Sequence, residues 1–494
     1  MKVSPSPGTT DVPLSGVRPL LAFAFFVLAM KLLVLAKFAS PLPYGDQWEA
    51  EALRLYHPWL AHQLHWSDLF AAQFEHRIFS TRVLDLFLLT INGQVWSPVL
   101  QMLANALIHV LALALLVHWL AGALAPTRQS GFLLFCAVML AMPYGIENIL
   151  WGFQSQFYFE LLFSFCFLRA ICVSRPLSPA WWAGLLAGVL AVLSLASGVV
   201  ALLAGVLVLA LRQIKAGHLA WRDMLLAGVL VLALVLVVLT TPTVAADAGA
   251  RAGSLGELLL TFIAVLSWPG LPGPGLLIYL PFLLYAVRLL RGPGQPVAGD
   301  WFVFAIGLWV LGQIALLSFG RSGVIFSSRY MDVFVIGLPL NLACICRLLP
   351  GFTADNGRAL WRHTARAGLL LWCVVVLGFG LPLLSHLTYF GAQVQKIEAV
   401  GSYNVRAYLQ TANSDFILKA SFPNIPDPDP QRLRQQLDDP LIRNILPPEL
   451  WPANAARQSG LLTALTSHLL LLAVVALVCA IGCLLDAWQR AEQP

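Results

Sequence analysis

Residues 17–49 read VRPLLAFAFFVLAMKLLVLAKFASPLPYGDQWE, an apolar run that stops at two prolines and passes directly into a charged segment. The apolar part, 17–39, has about the 20 residues that a helix needs to cross the hydrocarbon core of a bilayer. It is longer than the core of a signal peptide, and Lys31 interrupts it. We therefore expect a retained first span, followed by a new helix that opens at Asp46 and Glu49.

The composition extends this interpretation to the whole chain. Of its 494 residues, 59% are hydrophobic and 11% are charged, whereas soluble globular proteins carry about 25% charged residues. In lipid, a helix satisfies all its own backbone polar groups, and the apolar stretches have helix length. We predict an all-α polytopic membrane protein with about 12 transmembrane helices. Further runs near span length are 96–122, 180–211, 224–241 and 461–485.

The positive charges predict the orientation of the chain. Lysine and arginine are retained on the cytoplasmic side of membrane proteins. With the N-terminus inside (Lys2, Arg18), about 12 spans place the arginine-bearing short connections and Arg490 inside as well. The short apolar segment 255–269 then fits as an interfacial or half-membrane helix. Retained basic residues explain the net charge of +6, so no nucleic-acid partner is expected. We predict the inner membrane of a bacterium, with both termini cytoplasmic.

This orientation gathers the long polar segments on the outer face. The loop 40–95 follows the first span, and within it residues 68–90 show the pattern of an amphipathic helix lying parallel to the membrane. We divide the chain into a transmembrane core, 1–387, which includes this loop; a small periplasmic segment or lid, 388–460; and a last transmembrane helix with a cytoplasmic tail, 461–494. Charge beside hydrocarbon is costly and tends to be kept for a site, so we expect the functional site on this face.

Two groups of charged residues in the first outer loop are candidate catalytic groups. Asp46 and Glu49 stand three apart at a helix start. They can form a capping box, or hold a carboxylate that takes a proton from an incoming hydroxyl. Glu75, His76 and Arg77 form either a solvated face with local ion pairs or a cluster that faces the substrate. The sequence leaves both alternatives open.

Two later turns on the outer face are candidate binding segments. GIENILWGFQSQF, 145–157, has the polar and aromatic side chains that bind a sugar ring, or that anchor a turn at the membrane interface. FSSRYMD, 326–332, and the nearby Arg321 offer guanidinium groups to a phosphate; alternatively, Arg329 pairs with Asp332. The candidates for binding sugar or acceptor are His76, Glu147, Asn148, Trp151, Gln154 and Gln156.

The sequence does not predict a metal site. All eight cysteines lie in or beside apolar runs without CxxC or Cys/His spacing, and we interpret them as packing residues. The spacings of His57, His62, His65 and His76 mix helix faces. We expect no cofactor and leave open whether a metal ion takes part.

The chain also resembles a known superfamily. A first span, a large outer loop with an early Asp, a polytopic core and an outer C-terminal segment together resemble the GT-C superfamily of integral membrane glycosyltransferases. Four motifs are similar to an uncharacterised bacterial branch of it, near the pilin arabinosyltransferases. These motifs are YGDQWE (44–49), EHRIFSTR (75–82), ENILWGFQSQ (147–156) and SSRY (327–330).

The resemblance implies roles for particular residues. Asp46 matches the acidic residue of the first outer loop that acts as general base, and Glu49 or Glu75 would be a second carboxylate. The donor phosphate would be held by Arg329, with Arg321 or Arg77 as alternatives. The chain departs from the superfamily in lacking an Asp-Asp or Asp-Glu doublet at the expected point. Its outer C-terminal part is also small.

The resemblance further implies a membrane glycosyltransferase that moves a sugar from a polyprenyl-phosphate donor to an acceptor hydroxyl on the periplasmic face, with inversion. The partners would be the lipid-linked sugar, membrane lipid, and a glycan, lipid or protein acceptor. A transporter or flippase of lipid-linked sugars is the rival, because 273–295 has Gly and Pro interruptions typical of transporter sites. We expect few ionisable residues deep in the spans, which disfavours that rival. A lipid-linked oligosaccharide polymerase is a further alternative.

Overall fold

The computed structural model describes residues 17–217, 220–240, 249–349 and 359–491. Within these ranges the chain is built of helices and contains no β-strand; an isolated β-bridge joins Gln73 and His76. The predicted all-α class is confirmed. Lys2, on which part of the predicted orientation depends, lies outside the described residues.

The described residues contain nine helical stretches that are long and apolar enough to cross a membrane. The chain is therefore a polytopic membrane protein, as predicted. Leu255–Leu266 has 12 residues, too few to cross about 30 Å of hydrocarbon, which agrees with the short helix expected there. Other helices of the core are Pro126–Ala141, Ile146–Leu150, Pro179–Ser194 and Trp221–Thr240. The nine stretches are Val17–Phe38, Pro98–Gly122, Gly152–Val173, Ala196–Ala216, Pro274–Arg291, Ala298–Gly320, Ser328–Leu348, Ala367–Thr411 and Leu469–Gln489.

The first and last spans, Val17–Phe38 and Leu469–Gln489, pack side by side. Arg18, at the start of the first, forms an ion pair with Asp486, near the end of the last. The two described ends of the chain therefore lie on one face, as the predicted topology requires. That this face is cytoplasmic stays a prediction.

The first outer loop differs from the prediction over residues 68–90. A single amphipathic helix is wrong there, because the chain turns back on itself before Phe79. The backbone N–H of Gln73 donates to the carbonyl of His76 (2.8 Å), and the N–H of His76 donates to the carbonyl of Gln73 (3.0 Å). This hairpin places Phe74 and Glu75 at its tip, and His76 directly follows them. The helices of the loop are Gln47–Tyr56, which is a π-helix, His57–Leu60, Trp66–Phe70, which is a 3₁₀-helix, and Phe79–Ile91.

The helix Phe79–Ile91 turns its polar face inward. Arg82 and Asp85 are buried, whereas Phe87 is 57% exposed. Arg82 donates to three backbone carbonyls of residues 68–71, which ties the preceding turn to this helix. An apolar outer face with polar groups inside suits a helix that contacts lipid.

Buried hydrogen bonds attach the outer loop to the span Pro98–Gly122. Gln101, on that span, donates through Nε2 to carboxylate oxygens of Glu51 and Asp85, both at 2.8 Å. Trp96 Nε1 also donates to Glu51 (2.9 Å). Burial raises the pKa of Glu51 to about 7, and burial together with the charge of Glu51 raises the pKa of Asp85 well above its usual range. Burial therefore favours the protonated form of each carboxyl.

The polar segment near the C-terminus folds onto the first outer loop. The helix Leu383–Thr411 runs through residue 388, where this segment was predicted to begin, and its end joins the outer part of the chain through Val405 and Tyr408. Apolar side chains of loop and segment share one buried cluster, and Gln436 Nε2 donates to the carbonyl of Trp48 (2.8 Å). Loop and segment thus form one outer unit. The helices of the segment and its exit are Asp415–Leu418, Pro430–Asp438, Pro440–Arg443, Pro452–Arg457 and Gly460–Ser467.

The candidate spans bury more ionisable side chains than the sequence suggests. Lys31, His109, Glu160 and Asp332 are each at most 5% exposed. The expectation of few such residues inside the spans is therefore wrong. Lys31, His109 and Glu160 each lie within an apolar run, whereas Asp332 belongs to the FSSRYMD segment.

Candidate active site

A cavity of about 720 Å³ opens where the first outer loop meets the ends of the spans. Its volume lies in the range of ordinary ligand sites, roughly 300–1,000 Å³. It is lined by residues that are far apart in the sequence. The predicted site residues that line it are Asp46, Glu75, His76, Gln154, Gln156, Arg321 and Arg329.

Asp46 is part of the lining of this cavity. Its side chain makes no capping hydrogen bond, so the capping-box alternative is wrong. Glu49 instead accepts from Arg54 (2.5 Å) and Arg432 (3.2 Å), away from the cavity lining. Across the described residues, no donor forms a hydrogen bond to the Asp46 carboxylate. Such a carboxylate can accept a proton from a ligand.

Burial sets the acidity of Asp46. It raises the pKa of this carboxyl above its usual value; the charge of Arg329 lowers it, and the charge of Glu49 raises it. Together these effects raise the pKa of Asp46. A raised pKa makes the Asp46 carboxylate a stronger base than an exposed aspartate.

Trp151 fixes the turn that precedes Asp46. Its indole Nε1 donates to the carbonyl of Tyr44 (2.8 Å). Gly45 has a φ of +60°, and a Cβ there would lie 2.5 Å from the Trp151 ring. Only glycine fits this approach, so the YGD motif and Trp151 form one packed unit. Trp151 is thus placed behind the cavity lining rather than on it.

Glu147 holds the segment that carries Arg329. Its Oε2 accepts from Ser327 Oγ (2.5 Å), Ser328 Oγ (2.9 Å) and the backbone N–H of Arg329 (3.0 Å). Burial opposes the charge of Glu147, but the charge of Arg329 and these hydrogen bonds together lower its pKa. Glu147 therefore stays ionised and works as a clamp on the turn 327–329.

Arg329 does not pair with Asp332, which was the alternative for it. Asp332 instead accepts from Asn148 Nδ2 (2.8 Å), and the same nitrogen donates to the carbonyl of Arg329 (2.7 Å). The guanidinium of Arg329 lies 3.4 Å from Glu147 and 5.7 Å from the ring centre of Trp151. Glu147, Asn148 and Trp151, predicted to bind sugar or acceptor, therefore position Arg329 and the Asp46 turn.

Arg321 has a different partner. It forms an ion pair with Glu75 at the hairpin tip, and Glu75 also lies 3.4 Å from His76 Nε2. His76 Nδ1 accepts from the backbone N–H of Ala196 (3.3 Å). Arg77 is not part of the cavity lining; it donates to the carbonyls of Phe70 (2.8 Å) and Thr240 (3.1 Å).

The cavity also contains residues that the sequence analysis missed. Glu160 and Gln313, from two spans, are joined by a hydrogen bond of 2.8 Å from Gln313 Nε2 to Glu160 Oε1. Gln73 and Arg251 complete the polar lining. A carboxylate inside an apolar run was the available signal for Glu160, because buried charge in a span usually has a function.

Among the residues that the structure describes, no group of three or more His, Cys, Asp and Glu side chains could hold a metal ion. Of the four histidines considered for metal, His57 pairs with Asp439 (3.1 Å). All eight cysteines are free thiols, and each is buried or half-buried.

Comparisons with known proteins found a similarity in structure but none in sequence. The sequence matches no family model and no curated protein sequence. Its fold is similar to that of an archaeal oligosaccharyltransferase, AglB from Archaeoglobus fulgidus, solved in complex with an inhibitory peptide and a dolichol-phosphate. The TM-score is 0.47 and the identity 13%, over 83% of this chain and 60% of that one. This chain thus covers less than two thirds of AglB, and a likeness of this degree assigns no activity to it.

Proposed function

We propose that this chain is a membrane glycosyltransferase that moves a sugar from a polyprenyl-phosphate donor to an acceptor hydroxyl. One observation carries the proposal: the Asp46 carboxylate, which accepts no hydrogen bond among the described residues, shares a cavity with Arg321 and Arg329. A base and a phosphate-binding group in one cavity are what this reaction needs.

The proposed reaction follows from this arrangement. Arg329, with Arg321 or Arg251 beside it, binds the phosphate of the donor. Asp46 takes the proton of the acceptor hydroxyl while its oxygen forms a bond to the anomeric carbon. The bond from that carbon to the phosphate oxygen breaks, and polyprenyl phosphate leaves with its new charge next to arginine. Attack opposite the leaving phosphate inverts the anomeric carbon.

The same proposal assigns the surroundings. The site faces the periplasm of a bacterial inner membrane, where the phosphate of a lipid-linked sugar lies at the interface and its chain lies in lipid. Glu75, already paired with Arg321, adjusts the charge of that arginine rather than acting as the base. The acceptor is a glycan, a lipid or a protein, and it reaches Asp46 from the outer side of the cavity.

The test is mass spectrometry of envelope glycans and polyprenyl-phosphate sugars in a deletion strain. The strain is complemented with wild-type protein, with Asp46→Asn, or with Asp415→Asn, a control that changes an exposed carboxylate outside the cavity. We expect the deletion to lose one glycan modification, wild type and Asp415→Asn to restore it, and Asp46→Asn to fail at equal abundance in the membrane. Full restoration by Asp46→Asn would remove Asp46 as the base.

A transporter or flippase of lipid-linked sugars is the second candidate, and one observation favours it. Lys31 and Asp332 are buried on separate spans, and the Lys31 ammonium lies 5.8 Å from the ring centre of Tyr158, on which His109 stacks (4.2 Å between ring centres). Transporters keep such buried ionisable groups for coupling. If the deletion strain accumulates lipid-linked sugar on the cytoplasmic leaflet, this candidate replaces the first.

A further inference from the structure

One part of the cavity wall consists of uncharged amides. Gln154 and Gln156 stand at the outer end of one span, Gln313 comes from another, and Gln73 comes from the hairpin of the first loop. Gln156 Nε2 donates to Gln154 Oε1 (3.1 Å), and Gln313 Nε2 donates to the carbonyl of Ser197 (3.1 Å). We call these four glutamines the amide wall.

Gln73 indicates that a ligand completes the amide wall. Its side chain is buried, at 2% exposure, and both its amide atoms have no hydrogen-bond partner among the described residues. Buried amides without partners are rare in native proteins because each unmade hydrogen bond is costly. An amide offers two donor hydrogens and an acceptor oxygen, and a sugar hydroxyl both donates and accepts.

Glu160 is the carboxylate beside this wall. It is 1% exposed, and its Oε1 accepts from Gln313 Nε2 (2.8 Å) and Ser164 Oγ (2.9 Å). No ion pair found among the described residues includes it. Arg321 and Arg329 instead pair with Glu75 and Glu147. When ionised, Glu160 therefore adds a negative charge that no ion pair found among the described residues offsets.

We propose that the amide wall and Glu160 bind the sugar of the donor, and that this sugar carries hydroxyls but no carboxylate. This inference rests on the proposed function. Hydroxyls fill the donors and acceptors of the glutamines and can donate to Glu160. A uronic acid would bring a second carboxylate against Glu160 where water is scarce, and like charges repel strongly there.

The test uses the full-length protein in lipid nanodiscs at pH 8 and measures Kd for defined probes. The probes are geranyl phosphate and its phosphodiesters with glucose, galactose and mannose, each beside the phosphodiester of the matching uronic acid. The variants are Glu160→Gln and, as control, Glu449→Gln, which changes an exposed carboxylate outside the cavity. Glu160→Gln keeps the size of the side chain and removes its charge.

We expect at least one neutral sugar to bind ten times more tightly than geranyl phosphate and ten times more tightly than its uronic acid. Glu160→Gln should reduce the preference for the neutral sugar over its uronic acid to threefold or less and leave the Kd of geranyl phosphate unchanged. An unchanged Kd for geranyl phosphate also shows that the variant is folded. Glu449→Gln should keep the wild-type preference for the neutral sugar over both geranyl phosphate and the uronic acid. The inference is overturned if neutral and acidic sugars bind wild type equally, or if no sugar improves on geranyl phosphate. Absence of geranyl phosphate binding would instead overturn the proposed function.

Discussion

Two arginines line the same cavity but are held in different ways. Arg329 stands on a turn whose backbone and serines are fixed by Glu147. Its guanidinium lies 3.4 Å from Glu147 and donates through Nε to Ser327 Oγ (3.2 Å). Arg321 ends a span and is closely paired with Glu75, whose position depends on a hairpin of the first loop. One arginine therefore has a fixed backbone, and the other has a fixed charge partner.

Arg329 is the arginine that is ready to bind an anion. A guanidinium on a rigid turn, facing a cavity and lightly engaged, can give a phosphate two parallel hydrogen bonds. A guanidinium already neutralised by a carboxylate must first release it. We therefore assign binding of the donor phosphate mainly to Arg329, and we expect different effects from substituting the two arginines.

The largest effect is expected from removing Arg329. Arg329→Ala should lower the rate of sugar transfer by about 10²–10³, the usual loss when a group that stabilises transition-state charge is removed. Arg321→Ala should lower it by about tenfold. Both rates are measured in membranes with equal amounts of protein. Equal losses for the two variants would mean that both arginines bind the phosphate alike.

A smaller effect is expected from releasing the clamp on the Arg329 turn. Glu147→Ala leaves two serine hydroxyls and a backbone N–H without their acceptor, and hydrogen bonds to a charged group contribute about 1.5–3 kcal/mol each. We expect a thermal midpoint several degrees lower and a rate about tenfold lower.

Asp415→Asn, in the exposed helix Asp415–Leu418, is the control for the Glu147 variant and should change neither quantity. Wild-type activity in Glu147→Ala would show that Arg329 does not depend on this turn.

Much of the fold follows from the sequence because lipid leaves few choices. Apolar runs of span length can only be helices, so the all-α class and the first span at 17–39 were predictable. The hairpin before Phe79 was not, because the spacing of residues 68–90 fits a helix and the turn depends on a backbone pairing between Gln73 and His76. A positive φ at Phe74, rare for a bulky residue, leaves no sequence signal.

The candidate site was partly predictable for a related reason. Asp46 and Arg329 were conspicuous as charges on the outer face of an apolar chain. Their actual neighbours were not: Glu147 clamps the Arg329 turn from about 180 residues away, and Glu160 meets Gln313 across two spans. Contacts between residues this distant in sequence are determined by tertiary packing. The local pattern of a single sequence does not encode them.

The acidity of Asp46 should distinguish the two arginines again. Asp46 accepts a proton only as a carboxylate, and burial raises its pKa, so the rate should fall as pH drops through that raised pKa. Arg329→Gln removes a charge that lowers this pKa, so the acidic limb of the pH–rate profile should move to higher pH. Arg321→Gln should leave the limb in place. A shift of equal size in both variants would contradict the separation of their roles.

The smallest effect is expected at Glu75. Glu75→Gln keeps the shape of the hairpin tip but removes the charge that neutralises Arg321. Half-buried ion pairs at a surface contribute about 1 kcal/mol or less, so stability should change little and the rate should stay within about threefold of wild type. In the double variant with Arg329→Ala, however, Arg321 is no longer paired with the charge of Glu75 and can bind the phosphate, so part of the lost rate should return. If Glu75→Gln abolishes transfer by itself, Glu75 is the base rather than a partner of Arg321, and the two arginines exchange the roles assigned to them.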